Sequence, residues 1–216
     1  MTSGLAFEVL EARAEPYAMA PTIVLRLGIA STSPEPVHAI ALNCQIRIEP
    51  QRRTYDADEE HDLYDVFGET SQWARSLRPF LWVNVAVMVT SFTGRTETDL
   101  VIPCTYDMEV AGARYLHALR GGDIPIVVLF SGTVFGAGLD PGEGRFSARP
   151  VSWSDETTYR LAQAVWRGAM DQHFPNSAWL RLSHENLDAL GRFRADRGLT
   201  TWDQTLERLF KEVGEP

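Results

Sequence analysis

The periodicity of the chain changes near Trp153. Upstream, apolar residues alternate with others, as in Thr22-Ile23-Val24-Leu25-Arg26-Leu27-Gly28-Ile29. Downstream they recur at three- and four-residue spacing, as in Ala162, Val165, Trp166, Ala169 and Met170. The first rhythm is that of a pleated strand, the second that of an amphipathic helix. The connections between the alternating runs are mostly too short to hold crossover helices, which excludes a doubly wound parallel sheet. The expected class is α+β: an antiparallel, immunoglobulin-like β-sandwich over residues 1–153, with a helical C-terminal region, 154–216, packed on it as part of one compact unit.

Strands are expected from Phe7 to Ala12, Thr22 to Ser31 and Val37 to Glu49. The last alternates cleanly: Ile40, Leu42, Cys44, Ile46 and Ile48 face a core, and Ala41, Asn43, Gln45 and Arg47 face water. Ser31-Thr32-Ser33-Pro34-Glu35-Pro36 is a turn, so the second and third runs are expected to pair with each other. Further strands are expected at Leu81 to Val89, Thr98 to Ile102, Tyr106 to Val110, Ile124 to Phe135 and Phe146 to Trp153. Ala111 to Leu119 suits helix or strand. Three helices follow: from a cap at Ser154 to His173, from Ser183 to Gly198, and from a Thr201/Gln204 capping box to Gly214.

Between the third and fourth runs lies an excursion at about residues 51–80. It carries six carboxylates (Asp56, Asp58, Glu59, Glu60, Asp62 and Asp65), a helix start at Asp56 or Asp58, a stop at Gly68, and a helical turn near Ser71 to Leu77. The carboxylates read as a solvated face; the alternative is a docking surface or a weak divalent-cation site. The excursion also mixes arginine with aromatics: Arg52, Arg53, Tyr55, Trp73, Arg78, Phe80 and Trp82. These residue types dominate binding hot spots, so the seven are the candidate partner-binding residues. The competing reading is that they cover the end of the sandwich.

Composition narrows the function classes. The 216 residues carry a formal charge of −9, without the basic footprint of a nucleic-acid binder. Nineteen of the twenty cations are arginine, a bias that a GC-rich coding sequence explains without invoking function. No apolar run approaches the ~18 residues of a membrane span, and the N-terminus lacks signal-peptide features, so a cytoplasmic location is expected. The two cysteines, Cys44 and Cys104, then read as buried thiols. The five histidines form no metal-binding spacing; Cys44 and Cys104 with His38 or His117 are the one set that folding could assemble around a metal. Gly136-Ala137-Gly138-Leu139-Asp140-Pro141-Gly142 opens no helix and so is not a dinucleotide loop. No cofactor is implied.

Several blocks carry a resemblance: Leu42-Asn43-Cys44-Gln45-Ile46-Arg47-Ile48-Glu49-Pro50-Gln51-Arg52-Arg53, Leu77-Arg78-Pro79-Phe80-Leu81-Trp82, Val101-Ile102-Pro103-Cys104-Thr105-Tyr106-Asp107, Leu129-Phe130-Ser131-Gly132-Thr133-Val134-Phe135, and Asp171-Gln172-His173-Phe174-Pro175-Asn176-Ser177. Over almost its whole length the chain resembles an uncharacterised family of bacterial proteins whose genes often lie near nickel–iron hydrogenase genes. The resemblance implies an accessory or assembly role with a protein partner, hydrogenase subunits among the candidates, and assigns no catalytic residue. A non-enzymatic binding protein is therefore the leading expectation. The alternatives are an enzyme or metal-handling protein with a dispersed Cys/His/carboxylate site, and a chaperone for apolar segments.

Overall fold

The structure is a computed structural model that describes residues 4–104, 112–137, 146–175, 177 and 182–214. The chain divides into two compact units, Met1–Pro175 and Asn176–Pro216. The first contains eight strands among its described residues: β1 (Leu5–Ala14), β2 (Thr22–Ser31), β3 (Val37–Ile48), β4 (Phe80–Val89), β5 (Arg95–Pro103), β6 (Asp123–Ala137), β7 (Phe146–Pro150) and β8 (Glu156–Ala162). They form two antiparallel sheets, β1-β2-β5 and β4-β3-β6-β7, with β8 also paired to β6. The class is α+β.

The two-residue alternation explains what joins the sheets. Ile23, Leu25, Leu27 and Ile29 of β2, and Ile40, Leu42, Cys44, Ile46 and Ile48 of β3, are all buried in one common core. Phe7 of β1 stacks on Phe130 of β6 with ring centroids 4.1 Å apart. β2 and β3 do not pair with each other, contrary to the expectation from their short connection. β2 lies between β1 and β5, and β3 between β4 and β6. Pro34 and Pro36 cannot extend either ladder, so the turn carries the chain from one sheet to the other.

β6 is the central strand of its sheet. β3 runs along one edge of it; on the other edge β8 pairs with Asp123–Leu129 and β7 with Thr133–Ala137. The Val151 N–H donates to the Gly132 carbonyl and the Phe130 N–H to the Asp155 carbonyl, which ties the β7–β8 link to the same edge. The strand β8 corrects the expected helix start at Ser154. Glu156-Thr157-Thr158-Tyr159-Arg160-Leu161-Ala162 alternates exposed with partly or fully buried residues, and its paired threonines favour extended backbone. The rhythm therefore changes after Ala162, while Trp153 is 88% exposed.

Helix α5 (Gln163–His173) follows β8 directly and buries Trp166, Ala169 and Met170 in the core. Four helices precede it: α1 (Ala57–Asp62), α2 (Tyr64–Phe67), α3 (Trp73–Ser76) and α4 (Gly112–Ala118). The last settles the ambiguity at 111–119 as helix from Gly112 onward. Of the expected glycine-rich loop, Gly136 and Ala137 complete β6. The rest of that loop, like the strand expected at Tyr106 to Val110, lies outside the described residues.

The second unit contains α6 (His184–Asp196) and α7 (Trp202–Val213). Their N-caps are the expected ones: the Ser183 hydroxyl accepts from the Asn186 N–H and that of Thr201 from the Gln204 N–H, each at 3.2 Å. Arg194 stacks on Trp202 and Arg197 on Phe193, and Arg197 forks onto Glu212. Leu187, Trp202, Phe210 and Val213 remain exposed. Among the described residues no helix is long and apolar enough to cross a membrane.

One contact tests how tightly the large sheet is built. Gly132 has φ of +140°, and a Cβ there would stand 2.0 Å from the Ala41 carbonyl oxygen of β3. Gly132→Ala is expected to cost about 3 kcal/mol in urea unfolding, since both strain and the clash oppose it. A loss below about 1 kcal/mol would show that the two strands can separate there without penalty.

Candidate functional site

The excursion between β3 and β4 begins where Pro50 ends the strand and opens one turn of 3-10 helix, Pro50–Arg52. The Asp56 carboxylate then caps α1 by accepting the Glu59 N–H at 2.8 Å, and Gly68, at φ +72°, ends α2. A second 3-10 turn, Thr70–Gln72, leads into α3. These are the starts and stops legible in the sequence.

The aromatic residues of the excursion turn inward. Tyr55, Phe67, Trp73 and Phe80 gather with Tyr115 of α4 in mostly edge-to-face contacts: 5.3 Å for Tyr55–Trp73, 6.0 Å for Phe67–Tyr115 and 5.7 Å for Phe80–Tyr115. That geometry suits the ring quadrupoles. The Trp73 Nε1–H donates to the Gly68 carbonyl at 2.9 Å. The Tyr55 hydroxyl donates to the Pro50 carbonyl at 2.7 Å. Its one proton is thereby committed, so in the 2.9 Å contact between the two hydroxyls Tyr115 is the donor. Burial pushes both phenols above the ordinary range, and their proximity adds to the effect at Tyr55. Trp82 is buried in the main core. Of the seven candidate residues, Arg52 and Arg78 are exposed, Arg53, Tyr55, Trp73 and Phe80 are partly buried, and Trp82 is buried.

Arg53 and Glu59 form the site's floor. Their side chains retain 10% and 4% exposure, and Arg53 Nη2 lies 2.6 Å from Glu59 Oε1. The same oxygen accepts the Arg120 N–H at 2.8 Å, and Arg53 Nη1 donates to the Asp123 carbonyl at 3.0 Å. The pair thus joins the excursion to the α4–β6 turn and to the first residue of β6. Glu59 corrects the reading of the carboxylates as a uniformly solvated face: Asp56, Asp58, Asp62 and Asp65 are exposed, but Glu59 is not. Its position was recoverable, because Glu59, Leu63 and Phe67 recur every four residues and all three are buried.

Above this floor lies an open cleft of about 950 Å³, lined by Arg52, Arg53, Arg120, Arg160, Asp56 and Glu59 among others. Arg120 reaches Asp58 at 2.8 Å and Asp62 at 3.2 Å. Arg52 pairs with Glu49. Arg160, on the exposed face of β8, has no ion-pair partner among the described residues. Arg120 and Arg160 carried no sequence signal, since they reach the cleft from distant parts of the chain.

The chain matches, over residues 2–216, the model of a family of unknown function, DUF6084. It belongs to that family. No curated protein matches the family member significantly in sequence. Among solved structures it is similar to a selenomethionine-labelled β-glucosidase from Kluyveromyces marxianus, at 8% identity and TM-score 0.28, covering 72% of this chain and 14% of that one. It is similar also to β-glucosidase 3B from Thermotoga neapolitana, at 10% identity and TM-score 0.25, covering 72% and 17%. A third is the putative ApaA protein from Bordetella pertussis, at 13% identity and TM-score 0.23, covering 73% and 93%. The chain thus spans well under a fifth of the β-glucosidases it matches.

The metal candidates are placed apart from this cleft's lining. Cys44 lies on the core face of β3 and Cys104 just beyond β5, and burial pushes each thiol up to about 12. His38 is exposed on β3. The His117 ring meets Trp166 edge-on at 4.7 Å; part of the residue reaches solvent, yet partial burial and Arg167 lower its pKa. Among the described residues no three His, Cys, Asp or Glu side chains converge as a metal site.

Two measurements follow. Near neutral pH, and up to about pH 8, native protein is expected to resist iodoacetamide at both cysteines, with alkylation appearing in urea, as read by intact mass. Rapid native labelling would contradict the burial. Glu59→Ala and Arg53→Ala are each expected to cost about 3–5 kcal/mol, whereas Arg53→Met with Glu59→Met costs far less than the two losses added. Strict additivity in denaturant titrations would show that the two groups do not act as a pair.

Proposed function

We propose that the chain is a non-enzymatic accessory protein that holds a protein partner at the arginine-lined cleft, on an immunoglobulin-like sandwich scaffold. The scaffold reading is supported by two antiparallel sheets that share one core. The observation that carries the functional reading is how the excursion is used. Its aromatic residues are spent inward on a cluster of rings, and Arg52 and Arg53 line an open cleft, while Arg78 lies outside it and donates to the Arg75 carbonyl. A guanidinium presents a planar fork to a carboxylate, and Arg160 and Arg52 have exposed forks to offer. The partner's contacting segment is therefore polar and carries carboxylates. Shape and opposite charge would set its orientation more than its raw affinity.

The family resemblance supports a nickel–iron hydrogenase or another redox complex as the source of that segment. A second reading, shielding of apolar segments, draws on the exposed Leu187, Trp202, Phe210 and Val213 of α6 and α7.

Affinity purification of the full chain from native cells, followed by mass spectrometry, is expected to recover one stoichiometric partner containing a hydrogenase subunit. Arg52→Ala with Arg160→Ala is expected to weaken that complex about tenfold or more, with the fold intact. Recovery of the chain alone would contradict the reading, and a heterogeneous set of unfolded clients would favour the second. Stoichiometric nickel, zinc or iron in freshly purified protein would favour a metal-handling role instead.

A further inference from the structure

The connection between β1 and β2, residues 15–21, is fixed at both ends by backbone hydrogen bonds. The Glu15 N–H donates to the Thr22 carbonyl at 2.9 Å, and the Cys104 N–H to the Pro21 carbonyl at 2.7 Å. Between these ties Tyr17 and Met19 stand in solvent, Tyr17 at 92% exposure and Met19 completely. The carbonyls of the same stretch point the other way, onto the last turn of α5. The Gln172 side-chain amide donates to the Pro16 carbonyl, and His173 Nε2 lies 2.9 Å from the Ala18 carbonyl oxygen.

The other ring nitrogen of His173, Nδ1, lies 3.0 Å from the Ala169 carbonyl oxygen of α5. Carbonyl oxygens accept and never donate, and a neutral imidazole carries one N–H. Both contacts are hydrogen bonds only while both nitrogens carry protons. In the neutral ring a bare lone pair would face one of the two oxygens. Turning the ring over offers no escape, because it puts carbon at both positions. Ala169 is held in the helix and is 1% exposed, so the mismatch falls on the loop.

α5 packs on β1, β2 and β8. Their titratable and charged groups are Glu8, Glu11 and Arg13 on β1, Arg26 on β2, and Glu156, Tyr159 and Arg160 on β8. The loop adds Glu15 and Tyr17, and α5 itself Arg167 and Asp171. Arg13 is taken by Glu15 and Asp99, Arg26 by Asp99 and Glu97, and Arg167 reaches the Leu119 carbonyl. Among the described residues the His173 ring meets the two carbonyls and the Phe174 ring, and no carboxylate.

We propose that His173 is a proton-dependent clasp: doubly protonated, it ties the loop at Ala18 to the last turn of α5, and on losing one proton it releases the stretch that presents Tyr17 and Met19. Gln172 does not titrate, so Pro16 stays anchored and the opening is confined to residues 17–20. The sign follows from the proton count. The clasp is closed below the titration of the ring and opens as pH rises through it, and histidine is the side chain whose charge ordinarily changes between about pH 5 and 8. What it controls is the order of two fully displayed apolar side chains; an ordered loop loses less entropy on meeting a partner than a mobile one.

The test is an NMR titration of the full chain from about pH 5.5 to about pH 8.5. The ring nitrogen shifts of His173 should report two protonated nitrogens at the acid end and one at the basic end. Over the same titration the order parameters of the Tyr17 and Met19 amides should fall from about 0.85 to below about 0.6, while that of Glu15 holds. The two midpoints should coincide. His173→Gln should abolish the pH dependence of the loop, and His184→Gln should leave it unchanged. Loop order that ignores pH while the ring titrates overturns the proposal. So does a ring with a single proton at the acid end, or with two at the basic end, and so does a pH response that survives in His173→Gln. The unaltered chain decides the matter by itself if that variant does not fold.

Discussion

The backbone of β6 must be hydrogen-bonded along both edges, and much of the molecule is arranged around that obligation. Ile124, Ile126, Val128, Phe130 and Val134 are buried, so water cannot satisfy the polar groups between them. β3 takes one edge for almost its full length. The other is divided between β8 and β7. This division draws Glu156–Ala162 into a strand, starts α5 directly after it, and delivers Trp166 and Met170 to the core. It also fixes the Asp123 carbonyl, which receives Arg53.

The excursion rests on that fixed point. Arg53 reaches one residue at the start of β6 and one carboxylate in α1, and Glu59 answers with the same oxygen that accepts the Arg120 N–H. A buried ion pair adds little net stability over an apolar pair of the same size, but it penalises every arrangement that separates the charges. Beneath it the rings of Tyr55, Phe67, Trp73, Phe80 and Tyr115 interlock. The consequence is a long connection tied down where it meets the cleft, with Arg53 held by the Asp123 carbonyl and the Glu59 carboxylate.

The exposed surfaces differ in chemistry. The cleft is polar and laced with exposed ion pairs, Arg120 with Asp58 and Asp62 and Arg52 with Glu49, which salt would screen. The β4 strand is uncharged, with Leu81, Ala86 and Met88 exposed. The α6–α7 pair shows a third kind, the exposed apolar side chains of Leu187, Trp202, Phe210 and Val213.

The residue pattern alone determined most of what depends on neighbours in sequence. The alternation of β2 and β3, the Asp56, Ser183 and Thr201 caps and the stop at Gly68 are local events, governed by side chains within four residues of the backbone they satisfy. The buried place of Glu59 was missed: its spacing to Leu63 and Phe67 hinted at it, but a carboxylate among five others reads as solvated until Arg53 and the Arg120 N–H are brought to it. What only the tertiary structure decided concerns partners distant in the chain. β2 and β3 lie in different sheets, each paired with a strand far downstream, β5 and β6 respectively. β8 became strand rather than helix because β6 had an edge to fill. Tyr55 and Trp73 look alike to a sequence reading whether they face a partner or a core; Tyr115, some sixty residues from Tyr55, turned them inward. Arg120 and Arg160 joined the cleft by the same route. Hydrogen-bond demand and ring packing act across space, and spacing along the chain does not encode the distance.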